Sequence, residues 1–183
     1  GDTKFVDGKI GKALTFDGSG DYVDCGSDLG LDFGTGGATI ETWFKTSAVS
    51  GALVTKRAGT GFQIYVLSNK FYADGAGTAG VYSANNVNDG AWHYGAAVYD
   101  RGGSLLRLYV DGKADNTVAL GATTLTDTAN LNIGRKLLGS AGDYFTGQLD
   151  DVRIYNYART ADQVLQDYNA GAATRLGSQA SGE

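Results

Sequence analysis

The chain has 183 residues, 42% of them apolar, and a net charge of −5: enough for one domain with a buried core, and the wrong sign for tracking nucleic-acid phosphates. Of its 20 acidic residues all but Glu41 and the terminal Glu183 are Asp, which excludes most paired-glutamate hydrolases. A single His (His93) and a single Cys (Cys25) exclude a His-rich metal centre, a cysteine zinc site and an intramolecular disulfide.

The chain opens at Gly1 without a basic segment followed by an apolar run, so it is expected to be excised from a longer precursor. No stretch approaches the length of a membrane span, and no membrane insertion is expected. Short segments rich in β-branched and aromatic residues then follow at 13–17, 22–25, 39–45, 52–56, 62–66, 70–73, 80–83, 92–99, 105–110, 131–133 and 147–155. Each reads as a strand. Asp-Gly dipeptides at Asp7, Asp17, Asp74, Asp89 and Asp111 suit tight hairpin turns, because both residues tolerate positive φ. In 92–99 the larger groups Trp92, Tyr94 and Val98 share one parity, which predicts one core face and one partly wet face. Strands at this spacing, with no helical pattern between them, predict an all-β fold of two antiparallel sheets.

One short C-terminal helix is expected. Thr160-Ala161-Asp162-Gln163 has capping-box spacing, Val164, Leu165 and Tyr168 form an apolar stripe, and Gly171 is a reasonable stop. The domain is therefore placed at 1–171, with 172–183 as a linker or tail.

The residues that look chemical are few. Gly75, Gly77 and Gly80 match a dinucleotide-binding spacing, but Val81-Tyr82-Ser83 after them is strand-like, so a glycine-rich loop is expected. His93 lies inside a strand and reads as a packed or surface imidazole, and Cys25 as a small buried hydrophobe. Asp17, Asp21 and Asp24 cluster within eight residues, and Asp150-Asp151 lies in a late strand. Hard oxygen ligands suit calcium, although the cluster lacks an EF-hand loop and turn chemistry explains Asp17 and Asp21 equally well. As neighbours in a strand, Asp150 and Asp151 are expected on opposite faces, a poor general acid/base pair. Tyr65, Tyr72, Tyr82 and Tyr144 adjoin polar or glycine-rich loops and supply apolar plates, while Arg57 and Arg135, with Asp74 and Asn85 of the 74–88 stretch, supply polar contacts.

In order along the chain, GKALTFDG (11–18) with DYV (21–23), TIETWFK (39–45), VNDGAWH (87–93), LYVDGK (108–113), IGR (133–135) and FTGQLDDVRIYN (145–156) resemble the bacterial LamG-like jelly-roll domains of the concanavalin A-like lectin/glucanase superfamily. The resemblance covers about residues 8–170. It implies a jelly-roll sandwich of two curved antiparallel sheets, of the kind appended to secreted hydrolases, sialidases and adhesins. Family members often have a small residue and then Val around the central Trp, where this chain has Thr42 and Phe44 flanking Trp43, and a second His or a Val after the first His, where it has Tyr94 and Gly95; these differences should alter packing more than function. The Glu-x-Asp-x-Glu strand of laminarinase-like hydrolases is absent from the sequence. The resemblance further implies a structural calcium held by Asp17, with its neighbouring backbone, and by Asp150, acting on stability.

The expected function is that of a non-catalytic carbohydrate-binding module of a secreted or cell-surface protein, tethered to other domains. Its partner would be a glycan or polysaccharide, not nucleic acid, bound through loop and concave-face residues: Arg57, Tyr65, Tyr72, Asp74, Tyr82, Asn85, Arg135 and Tyr144. The alternatives are a protein-interaction or spacer module, and a polysaccharide lyase or hydrolase on the same sandwich.

Overall fold

The computed structural model describes residues 4–136 and 144–173. In chain order the strands are β1 (Lys4–Asp7), β2 (Lys12–Asp17), β3 (Val23–Asp24), β4 (Ala38–Lys45), β5 (Gly51–Lys56), β6 (Phe62–Leu67), β7 (Lys70–Gly75), β8 (Val81–Asn86), β9 (Trp92–Asp100), β10 (Leu105–Val110), β11 (Lys113–Ala119), β12 (Asn132–Ile133) and β13 (Thr146–Tyr155), followed by the helix α1 (Ala161–Ala173). They form a seven-stranded sheet in the order β1-β2-β13-β4-β9-β10-β11 and a six-stranded sheet in the order β3-β12-β5-β6-β7-β8. All pairings are antiparallel. This is the two-layer sandwich expected from the sequence.

Between the layers lies one apolar core. Ile40, Phe44, Ala97, Tyr99, Leu106 and Leu108 of the larger sheet meet Val54, Phe62, Ile64, Val66, Phe71 and Ala73 of the smaller. Phe44 stacks on Phe71 with ring centroids 5.9 Å apart, and a Cβ at Gly95 would lie 2.6 Å from the Phe71 ring. The two departures from the family pattern therefore belong together: a larger ring at Phe44 is matched by the missing side chain at Gly95, and the change is one of packing.

Turn chemistry divides the Asp-Gly dipeptides. Asp111 and Gly112 have φ of 51° and 75° and join β10 to β11 with Val110 opposite Lys113, a two-residue hairpin. Ser68 and Asn69, with φ of 52° and 71°, do the same between β6 and β7 without that dipeptide. Asp74-Gly75 makes no turn but ends β7, where Gly75 opposes Phe62 and a Cβ would lie 2.3 Å from the Gly61 carbonyl.

The helix is capped as its sequence implies: Thr160 N–H donates to Gln163 Oε1 at 3.0 Å, and Gln163 N–H to Thr160 Oγ1 at 3.3 Å. It continues past Gly171, whose role is close approach, since a Cβ there would stand 2.5 Å from Trp43 Nε1. Residues 174–183 of the expected tail lie outside the described residues. No helix among the described residues is long and apolar enough to cross a membrane.

Three further expectations change. The outward face of β9 is not wet, because α1 covers it: Trp43, Tyr94, Ala96, Val98, Tyr109 and Val164 form a second buried cluster with Tyr168 packed against it. Cys25 is exposed, at the end of a two-residue strand too short to bury its flank. Strict alternation also fails at Asp150-Asp151. A bulge at Asp151, φ 49°, shifts the β13–β4 register, and the Asp151 carboxylate pairs with Arg153.

Candidate functional site

The outward face of the six-stranded sheet carries two rows of side chains set by strand register. Cross-strand pairing aligns Asp24, Asn132, Thr55, Gln63 and Asp74 across β3, β12, β5, β6 and β7. Two residues along, it aligns Tyr65, Tyr72 and Tyr82 across β6, β7 and β8. A period of two puts both rows on one face.

The aromatic row is a ladder whose outer rung is open. Tyr65 and Tyr72 meet edge to face at 6.4 Å, and Tyr72 and Tyr82 lie 4.6 Å apart. Tyr65 and Tyr72 retain only 5% and 9% of their surface, whereas Tyr82 retains 42%. Tyr82 is therefore the ring of this row able to receive a ligand, and the other two brace it. Tyr65 O–H donates to Gln63 Oε1 at 3.2 Å, which joins the two rows.

Beside the ladder, Asp74 collects donors. Arg57 forms an ion pair with its carboxylate, Tyr72 O–H donates to it at 2.8 Å, and Tyr99 O–H donates to its backbone carbonyl at 2.6 Å. Burial first, and the Asp74 carboxylate second, push the Tyr72 hydroxyl well above its ordinary range, so it remains a donor. Arg57, Gln63, Asp74 and Lys136, with the backbone of Ala58 and Gly59, line a recess of about 300 Å³. A fixed guanidinium, an amide and a carboxylate around such a recess supply donors and acceptors for hydroxyl groups, with an aromatic plate at one side.

Of the remaining expected residues, Arg135 joins the far end of the polar row and the others stand apart from it. Arg135 stacks 3.3 Å over the Tyr22 ring, donates to Asn132 Oδ1 at 2.9 Å and pairs with Asp24 at 3.5 Å. It sits by the β3–β12 edge, opposite the edge formed by β8. Asn85 belongs to β8 but lines a separate cleft against β11. Tyr144 is half-buried just before β13, its carbonyl near Gly51, and positions 137–143 of the loop before it lie outside the described residues. Sequence reasoning missed Gln63, Thr55, Asn132 and Lys136. The alternation of Gln63 with Tyr65 along β6 was the available signal for the first.

The strand register holds Asp17 and Asp150 apart. Asp17 opposes Thr146 in register, so Asp150 lies four residues further along β13, roughly 13 Å away along the strand. Each carboxylate already serves the backbone: Asp17 accepts from Ser19 N–H and Asp150 from Ile10 N–H, both at 2.7 Å. Asp21, not Asp150, is the neighbour of Asp17, accepting its N–H at 3.2 Å and keeping a buried Oδ1 without a hydrogen-bond partner. Among the described residues no group of three or more His, Cys, Asp or Glu has metal-site geometry.

Glu41, the carboxylate flagged by composition, is fully buried beneath α1 with both oxygens unpartnered. Burial pushes it up to about 7, with the nearby Asp167 carboxylate adding to the shift and the Tyr94 hydroxyl and Arg159 opposing it. His93 sits between Asp111 at 2.9 Å and Asp89 at 3.1 Å, and the bond to Asp111, more than burial opposes, raises its pKa.

Comparison with solved structures finds the same fold in proteins of low identity. The binding domain of Paraclostridial Mosquitocidal Protein 1 superposes with a TM-score of 0.76 at 15% identity, covering 92% of this chain and 45% of that one. Botulinum neurotoxin type C, described as entering cells through two ganglioside molecules, gives 0.73 at 11% identity, covering 93% and 45%. Domain 4 of AbnA, a GH43 extracellular arabinanase of Geobacillus stearothermophilus, in complex with arabinotriose, gives 0.68 at 18% identity, covering 91% and 81%. The chain thus spans less than half the length of the two toxin chains. A search of curated protein sequences finds no match. The profile of the Laminin_G_3 family, described as concanavalin A-like lectin/glucanases superfamily, matches residues 17–165. On that match, together with the two-sheet fold, the chain belongs to the Laminin_G_3 family of the concanavalin A-like lectin/glucanases superfamily.

Proposed function

We propose that this domain is a non-catalytic carbohydrate-binding module, secreted or displayed at a cell surface and tethered to other domains, and that it binds glycan on the outward face of its six-stranded sheet. The observation that carries the reading is the half-open Tyr82 ring braced on Tyr72 beside the Arg57–Asp74 pair. An aromatic plate meets the apolar face of a sugar ring, and the fixed polar groups meet its hydroxyls. Each hydrogen bond is exchanged against water, so a single site binds weakly and gains from tethering.

Two features favour binding over turnover. The Asp74 carboxylate is committed to Arg57 and Tyr72, and among the described residues the one carboxyl raised toward neutrality, Glu41, is sealed under the helix. The AbnA domain, described in complex with arabinotriose, makes arabinan the first polysaccharide to try. The test is affinity electrophoresis on a panel of polysaccharides including arabinan, with and without calcium, for the wild type and Tyr82→Ala. Retardation that Tyr82→Ala abolishes is the expected result. Absence of retardation on every polysaccharide, or retardation unchanged in Tyr82→Ala, would remove the proposal.

A further inference from the structure

Next to Tyr82 the edge strand β8 is deformed in a specific way. Tyr72 opposes Tyr82 and Lys70 opposes Asn86, so Ser83, Ala84 and Asn85 stand against the single residue Phe71. Side chains staple this bulge. Ser83 Oγ accepts the Phe71 N–H at 3.0 Å in place of a ladder carbonyl and donates to the Asn85 carbonyl at 2.8 Å. Lys70 Nζ donates to the freed carbonyls of Ser83 and Ala84, at 3.1 and 2.5 Å. The bulged strand also reaches the other sheet: Ala84 N–H donates to Asp115 Oδ1 at 2.8 Å, and Asn116 Nδ2 donates to the Tyr82 carbonyl at 2.9 Å. Bulges of this kind re-aim side chains at sheet edges.

The result is a cleft of about 450 Å³ between β8 and β11, lined by Asn85, Asn86, His93, Asp111, Lys113 and Asp115 with a small apolar floor. Asn85 and Asn86 are exposed, and neither amide has a hydrogen-bond partner among the described residues. Two free amides, two carboxylates and an ammonium in a pre-formed cleft offer paired donors and acceptors at fixed positions. Asn86 stands on the same face as Tyr82, because their partners Lys70 and Tyr72 are two residues apart on β7. The cleft thus begins where the aromatic ladder ends.

We infer that the domain binds an extended internal stretch of a polysaccharide, whose chain lies on Tyr82 and continues over the bulged edge of β8 into the Asn85–Asn86 cleft. The inference rests on the glycan reading of the outward face and adds to it a second subsite and a direction. Because the bulge sets Tyr82 and Asn86 against residues two apart on β7, the two positions stand roughly 7 Å apart along the sheet, somewhat more than one sugar ring covers, so occupation of both ends requires at least two linked residues.

The experiment is calorimetric titration with ligands of one to six sugar residues prepared from each polysaccharide of the panel, arabinan first, against wild type, Tyr82→Ala and the double variant Asn85→Ala, Asn86→Ala. Both asparagines are exposed, and Asn85 uses only its backbone carbonyl in the bulge, so the fold should persist, which a melting curve checks. The longer ligands are expected to bind about tenfold tighter than the single sugar, and the double variant to lose that gain while leaving the single sugar within twofold. Tyr82→Ala should weaken every length. Equal affinity for all lengths, or a double variant that behaves as wild type on the longest ligand, overturns the extended-chain inference while the Tyr82 effect keeps the glycan reading. Loss of nothing in Tyr82→Ala, or no binding anywhere on the panel, overturns both.

Discussion

The two outward faces of this sandwich use aromatic residues for opposite ends. On the seven-stranded sheet, Trp43 stacks on Tyr168 and packs tilted against Tyr94, each ring 5.3 Å away, and α1 seals them with Val164. On the six-stranded sheet, Tyr65, Tyr72 and Tyr82 form a similar series, but its last ring remains open to solvent. Composition is alike on the two faces. What differs is a covering element, and that alone turns rings from core into a surface able to bind.

The sharpest way to break the comparison is to remove the ring under the cover. Trp43→Ala leaves a large cavity beside Tyr94 and Tyr168 and is expected to cost about 3–5 kcal/mol, a large share of a domain's stability. Denaturant unfolding measures it. At a temperature where the variant is still folded, glycan affinity should be unchanged, because Trp43 and Tyr82 lie on opposite sides of the molecule; a parallel loss of binding would show that the faces are coupled.

The covered face also holds a carboxyl that titrates near neutrality. Glu41 has its folded pKa raised to about 7 from 4.5 by burial. The folded protein thus prefers the neutral acid, carries no penalty below about pH 4.5, and loses stability as pH rises through 7. The shift corresponds to about 3 kcal/mol. Glu41→Gln should flatten the stability profile between pH 4.5 and 8, read by urea unfolding at several pH values, and an unchanged slope would mean that Glu41 is ionised in place.

How much of this was legible in the sequence follows from the same contrast. Strands with at least one buried face announced themselves by β-branched and aromatic runs. β1 and β11 did not: Lys4–Asp7 and Lys113–Ala119 lie at the two edges of their sheet, mostly exposed, and carry no apolar alternation. The burial of Glu41 and Tyr94 was invisible locally, because it depends on a helix that begins at Ala161. The polar row from Asp24 to Asp74 depends on the register of five strands, so the sequence yielded Asp74 and Arg57 but not Gln63 or Asn132. Arg135 and Tyr144 stand in loops, whose sequence does not show where along the sheet a side chain reaches; Arg135 meets Asn132 and Asp24 at the far end of the polar row.

On the open face, Tyr82→Ala is expected to weaken glycan binding about tenfold, or about 1.4 kcal/mol, and to change the melting temperature little because the ring is half-exposed. Both quantities are needed: a stability loss as large as that of Trp43→Ala would make Tyr82 a packing residue and erase the distinction between the faces. Asp150→Ala gives an effect of similar size on stability instead, about 1–2 kcal/mol from the lost acceptor of Ile10 N–H. Run in calcium and in chelator, the two melting curves of this variant should differ by no more than those of wild type do, since the register holds Asp150 apart from Asp17; a calcium-dependent stabilisation that Asp150→Ala abolishes would restore Asp150 as a ligand.

The smallest effect lies at the boundary between the faces, where His93 holds the Asp89 turn to the Asp111 hairpin. Its folded pKa is raised, chiefly by the bond to Asp111, so its contribution is fully present below its ordinary value near 6.5 and fades as pH rises through the folded value. Asp89 is largely exposed, so solvent screens its share, and the whole contribution is expected at about 1 kcal/mol or less. His93→Asn should therefore lower stability at pH 5.5 and leave it almost unchanged at pH 9, the reverse of the Glu41→Gln pattern, in which the variant gains at high pH. Because Asp111 also accepts the Tyr94 N–H at 2.9 Å, the hairpin itself should stay in place in the variant. A deficit equal at both pH values would assign His93 to packing against Phe44 instead, its ring 6.1 Å away.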